Sequence, residues 1–226
     1  MFGSRLDLMF AGFKDKYPGL PADTYFNCSS IRPGELSINC TRVYELNPTK
    51  SDDLTKAEVV TRQQAWAIWR FLKDKIPGFE DSVITETAAQ VGIRESRRIA
   101  GDYVLTAEDG IAHTRFEDSV QTCRVDWDSH DKGNYQRKSL GGLVDVPYRV
   151  FLPAGLDGVL IAGRCSSTDH LMNSGFRRME NAFQTGEVAG TAAGMSAKSS
   201  LAPRKLSVRE LQQELKKHGF KTNQGD

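Results

Sequence analysis

Between Gly158 and Gly194 the chain reads GVLIAGRCSSTDHLMNSGFRRMENAFQTGEVAGTAAG: an apolar run closed by a glycine, a polar loop, then small residues at every fourth position. Val159, Leu160, Ile161 and Ala162 lack the alternation of a half-exposed strand, which predicts a strand covered on both faces. Gly163 lets the backbone turn sharply at its end. Gly186, Gly190 and Gly194, with Ala189, Ala192 and Ala193, strip one helix face of side chains, so a neighbour can approach closely. A helix beginning near Thr185 or Gly186 would aim unpaired N–H groups and a partial positive charge at an anion or at the electron-rich carbonyl of a bound ring. Tight helix-on-sheet packing is the alternative reading of the same spacing.

Thirty basic and 29 acidic side chains leave a net charge of +1, so nothing in the balance points to nucleic acid or an anionic membrane. Cys28, Cys40, Cys123 and Cys165 are widely separated and lack metal-ligand spacing, which reads as thiols, with a Cys28–Cys40 disulfide left open. The sequence has neither an apolar run of membrane-spanning length nor the pattern of a signal peptide, and a cytoplasmic location is expected. The opening MFGSRLDLMFAGFKDKYPG lacks the alternation of a first core strand, as though the chain started within a domain.

Residues 20–50 read as short strands and loops broken by Pro21, Pro33 and Pro48. A helix is predicted over 55–76, opened by a Thr55-x-x-Glu58 capping box, stopped by Pro77-Gly78, and anchored in the core by Trp66 and Trp69. Val91–Leu105 reads as a charged hairpin turning at Gly101-Asp102; further strands are predicted at Val120–Trp127 and Leu143–Leu152, with Gly141-Gly142 in a loop between strands. Ser207-x-x-Glu210, the apolar positions Val208, Leu211 and Leu215, and Gly219 predict a C-terminal amphipathic helix clasped onto the body.

In order along the chain, Gly92–Ile99 (GIRESRRI), Pro147-Tyr148-Arg149, Ala162-Gly163-Arg164-Cys165 and Gly186-Glu187-Val188-Ala189-Gly190 resemble the C-terminal half of FAD-dependent oxidoreductases. Asp53-Leu54-Thr55, Pro77–Glu80 and Leu211-Gln212-x-x-Leu215 extend the resemblance to nearly all residues after Asn39. It implies an α/β (α+β) fold of the glutathione-reductase-like FAD/NAD(P)-binding kind, whose N-terminal Rossmann unit carries G-x-G-x-x-G. That motif does not occur in these residues. The implied architecture is therefore partial: a β-rich substrate-facing segment over 1–155, a return into the FAD domain over 156–200, and a helical tail over 201–226.

The same resemblance implies that Gly163, Arg164, Arg177, Gly186, Glu187, Ala189 and Gly190 face the cofactor, FAD, where helix-terminal amides would stabilise negative charge on the reduced ring. His170 falls on a family histidine and is the expected proton-transfer residue. Arg94, Ser96 and Arg98 alternate onto one face, Glu95 and Arg97 onto the other, an arrangement suited to a polar or carboxylate-bearing substrate and equally to a solvated strand. Tyr148 and Arg149 are lesser candidates, and Asp169, Asn173 and Ala182 depart from the family pattern. The expected activity is hydride transfer from a small organic substrate to flavin. Two rival expectations are a fragment or subunit completing a separate Rossmann-type chain, and a β-rich module binding a sugar or acidic ligand through Trp66, Trp69 and the arginines.

Overall fold

The computed structural model describes residues 2–4, 10, 12–21, 26–30, 32–131 and 134–225, and divides the chain into two compact units, Met1–Ile93 and Arg94–Asp226. Helices and small antiparallel sheets are mixed throughout. The compact units part at Ile93/Arg94, so the 155/156 boundary expected from family organisation falls inside the second of them.

In the first unit, β1 (Phe2–Ser4), β2 (Phe26–Ser29) and β3 (Ser37–Asn39) form an antiparallel sheet in that order, with Cys28 opposite both Phe2 and Ile38. No disulfide joins Cys28 to Cys40. Helix α1 (Ser51–Lys75) begins four residues before the predicted start. Thr55 is therefore interior: its hydroxyl donates to the Ser51 carbonyl (3.0 Å), and the predicted capping box does not form. Asp52 and Asp53 occupy the first turn, where the helix dipole favours carboxylates. The helix buries Ala67, Ile68, Phe71 and Leu72, and the Phe71 ring meets Phe10 edge-on at 4.9 Å and Tyr17 at 5.7 Å. Trp66 is half exposed and stacks edge-on against Trp69, so the expected tryptophan core is replaced by this Phe71 cluster. Gln64 acts as a strand substitute, exchanging two 2.9 Å hydrogen bonds with the backbone of Arg42.

The second unit is built on a long hairpin, β4 (Ser119–Asp131) and β5 (Asn134–Pro147), paired antiparallel from Ser119↔Pro147 to Asp131↔Asn134. Gly141 and Gly142 lie inside β5 and not in a loop, because the register shifts between Arg124 and Asp126 and the chain bulges there, with Gly141 at φ +70°. Segment 148–151 is 3-10 helix, not the end of a strand. The helices are α2 (Ala107–Ala112), α3 (His170–Phe176), α4 (Met179–Ser199) and α5 (Val208–Lys217). Helix α5 starts as predicted, Ser207 Oγ accepting from the Glu210 amide at 3.3 Å, and buries Leu211 and Leu215 fully.

Three extended segments tie the unit together without forming regular strands. The predicted hairpin at 91–105 does not close on itself: Ile99 N–H donates to the Cys165 carbonyl (3.0 Å), Asp102 N–H to Leu152 (3.0 Å) and Leu105 N–H to Ser167 (3.0 Å). Each half finds a non-local partner, a choice that turn residues cannot encode. The tail past Gly219 is fixed in turn, with Thr122 N–H donating to the Lys221 carbonyl (3.1 Å) and Ser119 Oγ to Thr222 (2.6 Å). The Asp145 carboxylate, with a side chain 1% exposed, accepts from Gln224 N–H (2.8 Å) and Arg115 Nε (3.1 Å). Asp145→Ala removes the partner of a tail amide and of a guanidinium, and is expected to cost about 2 kcal/mol. A urea midpoint unchanged from wild type would show the tail to be held without it.

Among the described residues no helix is long and apolar enough to cross a membrane.

Candidate functional site

Helix α3 begins where Asp169 caps it, its carboxylate accepting from Met172 N–H (2.6 Å) and from Ala107 N–H (2.7 Å). One side chain thereby fixes the first turns of both α2 and α3, a structural role for a residue that departs from the family pattern. His170 is the first residue of α3 and Arg177 its C-cap, so His170, Asn173 and Arg177 share a face at i, i+3 and i+7.

The predicted catalytic residues gather in two adjoining ion clusters. In one, Glu95 takes the His170 Nδ1 at 3.0 Å and is also paired with Arg98. Arg98 Nε in turn donates to the Thr168 carbonyl (2.9 Å), pinning the cluster to the segment that leads into α3. In the other, Arg94 Nη1 lies 3.1 Å and Arg177 Nη2 3.6 Å from Asp128 Oδ2, while Arg177 also donates to the Asp128 carbonyl (2.9 Å). Asp128 is positioned from α3, its amide donating to Ser174 Oγ (3.2 Å). Burial, reinforced by the charges of Arg94 and Arg164, pulls the Arg177 guanidinium down to about 10, with Asp128 opposing. Arg94 and Arg177 therefore share one carboxylate, and the Arg164 charge acts on the second of them.

Asp128 and the double use of Glu95 were not legible in the sequence as site features. Asp128 lies in a charged, alternating stretch of β4 like any exposed strand residue, and only the packing of α3 turns it toward arginines far away in the chain. Asn173 is 1% exposed, and among the described residues neither its Oδ1 nor its Nδ2 has a hydrogen-bond partner; Thr168 Oγ1 is likewise buried and unpartnered there.

The residues expected at the cofactor divide differently. Gly163 adopts φ +73°, and its N–H donates to Thr185 Oγ1 (2.7 Å), which fixes the 162–164 turn against α4. The segment before it is extended but unpaired as a strand: Ile161 N–H donates to the Phe151 carbonyl (2.9 Å), yet Val159 is 37% exposed, where a strand covered on both faces was predicted. Among the described residues no further strand covers it.

Helix α4 starts at Met179, with Arg178 in the N-cap position, and not near Gly186. Gly186 is its eighth residue, so its amide belongs to the internal i→i−4 ladder and is not an orphan donor. The expected amide contact from Gly186 and Glu187 is thus corrected; the missed signal was Met179-Glu180-Asn181-Ala182, an acidic first turn that extends the helix upstream. Glu187 is surface exposed and meets His218 Nδ1 at 3.3 Å. Asn181, Thr185, Val188 and Ala192 form the buried face. Gly186, Gly190 and Gly194 lie away from it, and a Cβ at any of them would meet nothing within 4 Å. The packing alternative therefore does not explain these glycines. The same side carries Met179 and Phe183, 73% and 75% exposed, and Ala189 and Ala193 line an adjoining groove of about 580 Å³ with Gly158 and Leu160.

A Cβ at Gly163 would be strained by its positive φ, and a Cβ at Gly186, Gly190 or Gly194 would stand in open space. Among the described residues no group of acidic, histidine or cysteine side chains could hold a metal ion. No curated protein and no solved structure matches the chain. A family model described as FAD dependent oxidoreductase matches residues 8–215. The chain therefore belongs to the FAD dependent oxidoreductase family.

Proposed function

We propose that these residues supply the substrate-facing part and the flavin-domain return of an oxidoreductase that takes a hydride from a small organic substrate. The observation that carries this reading is the gathering of Arg94, Glu95, Arg98, His170 and Arg177, remote in sequence, into adjoining clusters beside the Gly163-Arg164 turn. FAD, when bound, supplies the hydride acceptor. Gly163 and the Ala189 side of α4 would hold it, the glycine by permitting close backbone approach and the helix face by leaving room. Glu95 on Nδ1 orients the His170 ring, which lets the histidine hold or move a proton at the substrate. Arg98 shares that carboxylate and locks the arrangement to the Thr168 backbone.

The exposed face of α4 and the unpaired edge at Val159 favour a companion element as well. A Rossmann-type ADP-binding unit with G-x-G-x-x-G would cover apolar surface at Met179, Phe183 and Val159 and complete the cofactor's other half. Flavin absorbance after incubation with FAD and desalting, with and without a coexpressed Rossmann-type chain, tests both statements. Retention in either arrangement supports the oxidoreductase reading, and retention only in the pair supports the companion. No retention in either overturns it.

Gly163→Ala is expected to cost about 1–2 kcal/mol, because its φ lies in the left-handed region. Nothing crowds the new methyl, so the fold should survive while flavin retention falls. Undiminished flavin retention in this variant would remove Gly163 from the cofactor site.

A further inference from the structure

We infer that Arg94, Arg164 and Arg177 form a binding site for a carboxylate of the substrate, so that the molecule oxidised is an organic anion. This rests on the oxidoreductase reading for the word substrate, but the anion site itself stands on geometry. Two guanidinium groups share one carboxylate, Asp128, which lies 3.1 Å from Arg94 and 3.6 Å from Arg177, and the charge of a third, Arg164, acts on Arg177. The other nearby acid, Glu95, is already committed to Arg98 and His170. Arg178, the next arginine along, has its own acids in Asp126 and Glu180 at 3.0 and 2.7 Å. Arg164 makes no hydrogen bond or ion pair among the described residues.

The local excess of positive charge is therefore real, and one member of it is desolvated: the Arg177 side chain is only 13% exposed. A buried guanidinium beside two like charges is disfavoured unless an anion accompanies it. Its depressed proton affinity agrees with that deficit. A second, independent observation points the same way. Asn173, on the same face of α3 as His170 and Arg177, is buried with both amide atoms unsatisfied, as a donor and acceptor awaiting a polar ligand would be. Planar, forked guanidinium groups match a carboxylate in both geometry and charge. Arg164 directly follows Gly163, so an anion held here lies one residue from the turn assigned to the cofactor, with His170 on the adjoining cluster.

The experiment is titration of the full 226-residue chain with malonate at constant ionic strength, read by calorimetry, with acetate and ADP as comparison ligands. Saturable malonate binding is expected, weakened at least tenfold by Arg164→Gln and by Arg94→Gln. Arg164 is exposed and without partners among the described residues, so Arg164→Gln leaves the fold intact, and circular dichroism verifies this. Absence of saturable binding, or binding unaffected by Arg164→Gln, overturns the inference. Displacement of malonate by ADP also overturns it, assigning the arginines to the cofactor's phosphates. Flavin retention is measured separately: flavin without malonate binding sinks this inference alone, and malonate binding without flavin sinks the oxidoreductase reading alone.

Discussion

Phe71→Ala is expected to destabilise residues 1–93 by about 4 kcal/mol, the usual cost of emptying a buried aromatic site. The ring is fully buried and touches Phe10, Phe13 and Tyr17 edge-on, at 4.9, 5.5 and 5.7 Å, so its removal breaks three aromatic contacts at once. These partners come from the segment before β2, and they fasten that segment to α1. Collapse of the site could recover only part of the loss, because α1 is also held by the Gln64–Arg42 backbone exchange and cannot shift freely. Urea unfolding followed by tryptophan fluorescence reports this unit through the Trp66–Trp69 pair. A loss below about 1 kcal/mol would show that the aromatic cluster is not its core.

Gly101→Ala is expected to cost about 3 kcal/mol in the second unit and to weaken the site with it. A Cβ there would stand 2.7 Å from the Cβ of Ser167, which is bonded directly to the backbone, and 3.1 Å from the Arg149 carbonyl, so neither is the far end of a flexible side chain that could yield. Gly101 N–H also donates to Ser167 Oγ at 3.0 Å. The clash falls where segments 99–105 and 165–169 lie together, and the same pairing sets Arg98 against the Thr168 carbonyl and Glu95 beside His170. Reduced stability should therefore be accompanied by loss of malonate binding. Gly92→Ala is the control: a Cβ at that position meets nothing within 4 Å, and less than about 0.5 kcal/mol of change is expected. Equal stability of the two variants would mean that the segments do not approach as closely as the structure has them.

Local signals and chain order together determined a good part of this protein. Ser207, Leu211, Leu215 and Gly219 define α5 because capping, helical spacing and a C-terminal glycine are all properties of a short stretch. The Pro77-Gly78 stop of α1 and the strand β4 were legible for the same reason, whereas of β5 only the end from Leu143 to Pro147 was. Family membership also came from the sequence, since GIRESRRI, PYR, AGRC and GEVAG in order survive without knowledge of any contact.

Tertiary structure decided the rest, wherever one residue has several local options and a distant partner selects among them. Turn residues at Gly101-Asp102 suggested a hairpin, but the amides of Ile99, Asp102 and Leu105 are satisfied by the carbonyls of Cys165, Leu152 and Ser167. Small residues at Gly186 suggested a helix start, but α4 continues upstream because Met179, Glu180 and Ala182 are also good helix formers and Arg178, at the N-cap position, has extended backbone. Apolar Val159–Ala162 suggested a covered strand, and Trp66 a core anchor; burial depends on what packs against a segment, which composition does not specify. Arg94, Asp128 and Arg177 are ordinary surface charges in sequence. They become a site because α3 packs on β4 and brings charges from three separate segments within ion-pair distance, an arrangement fixed by long-range packing and invisible to any local window.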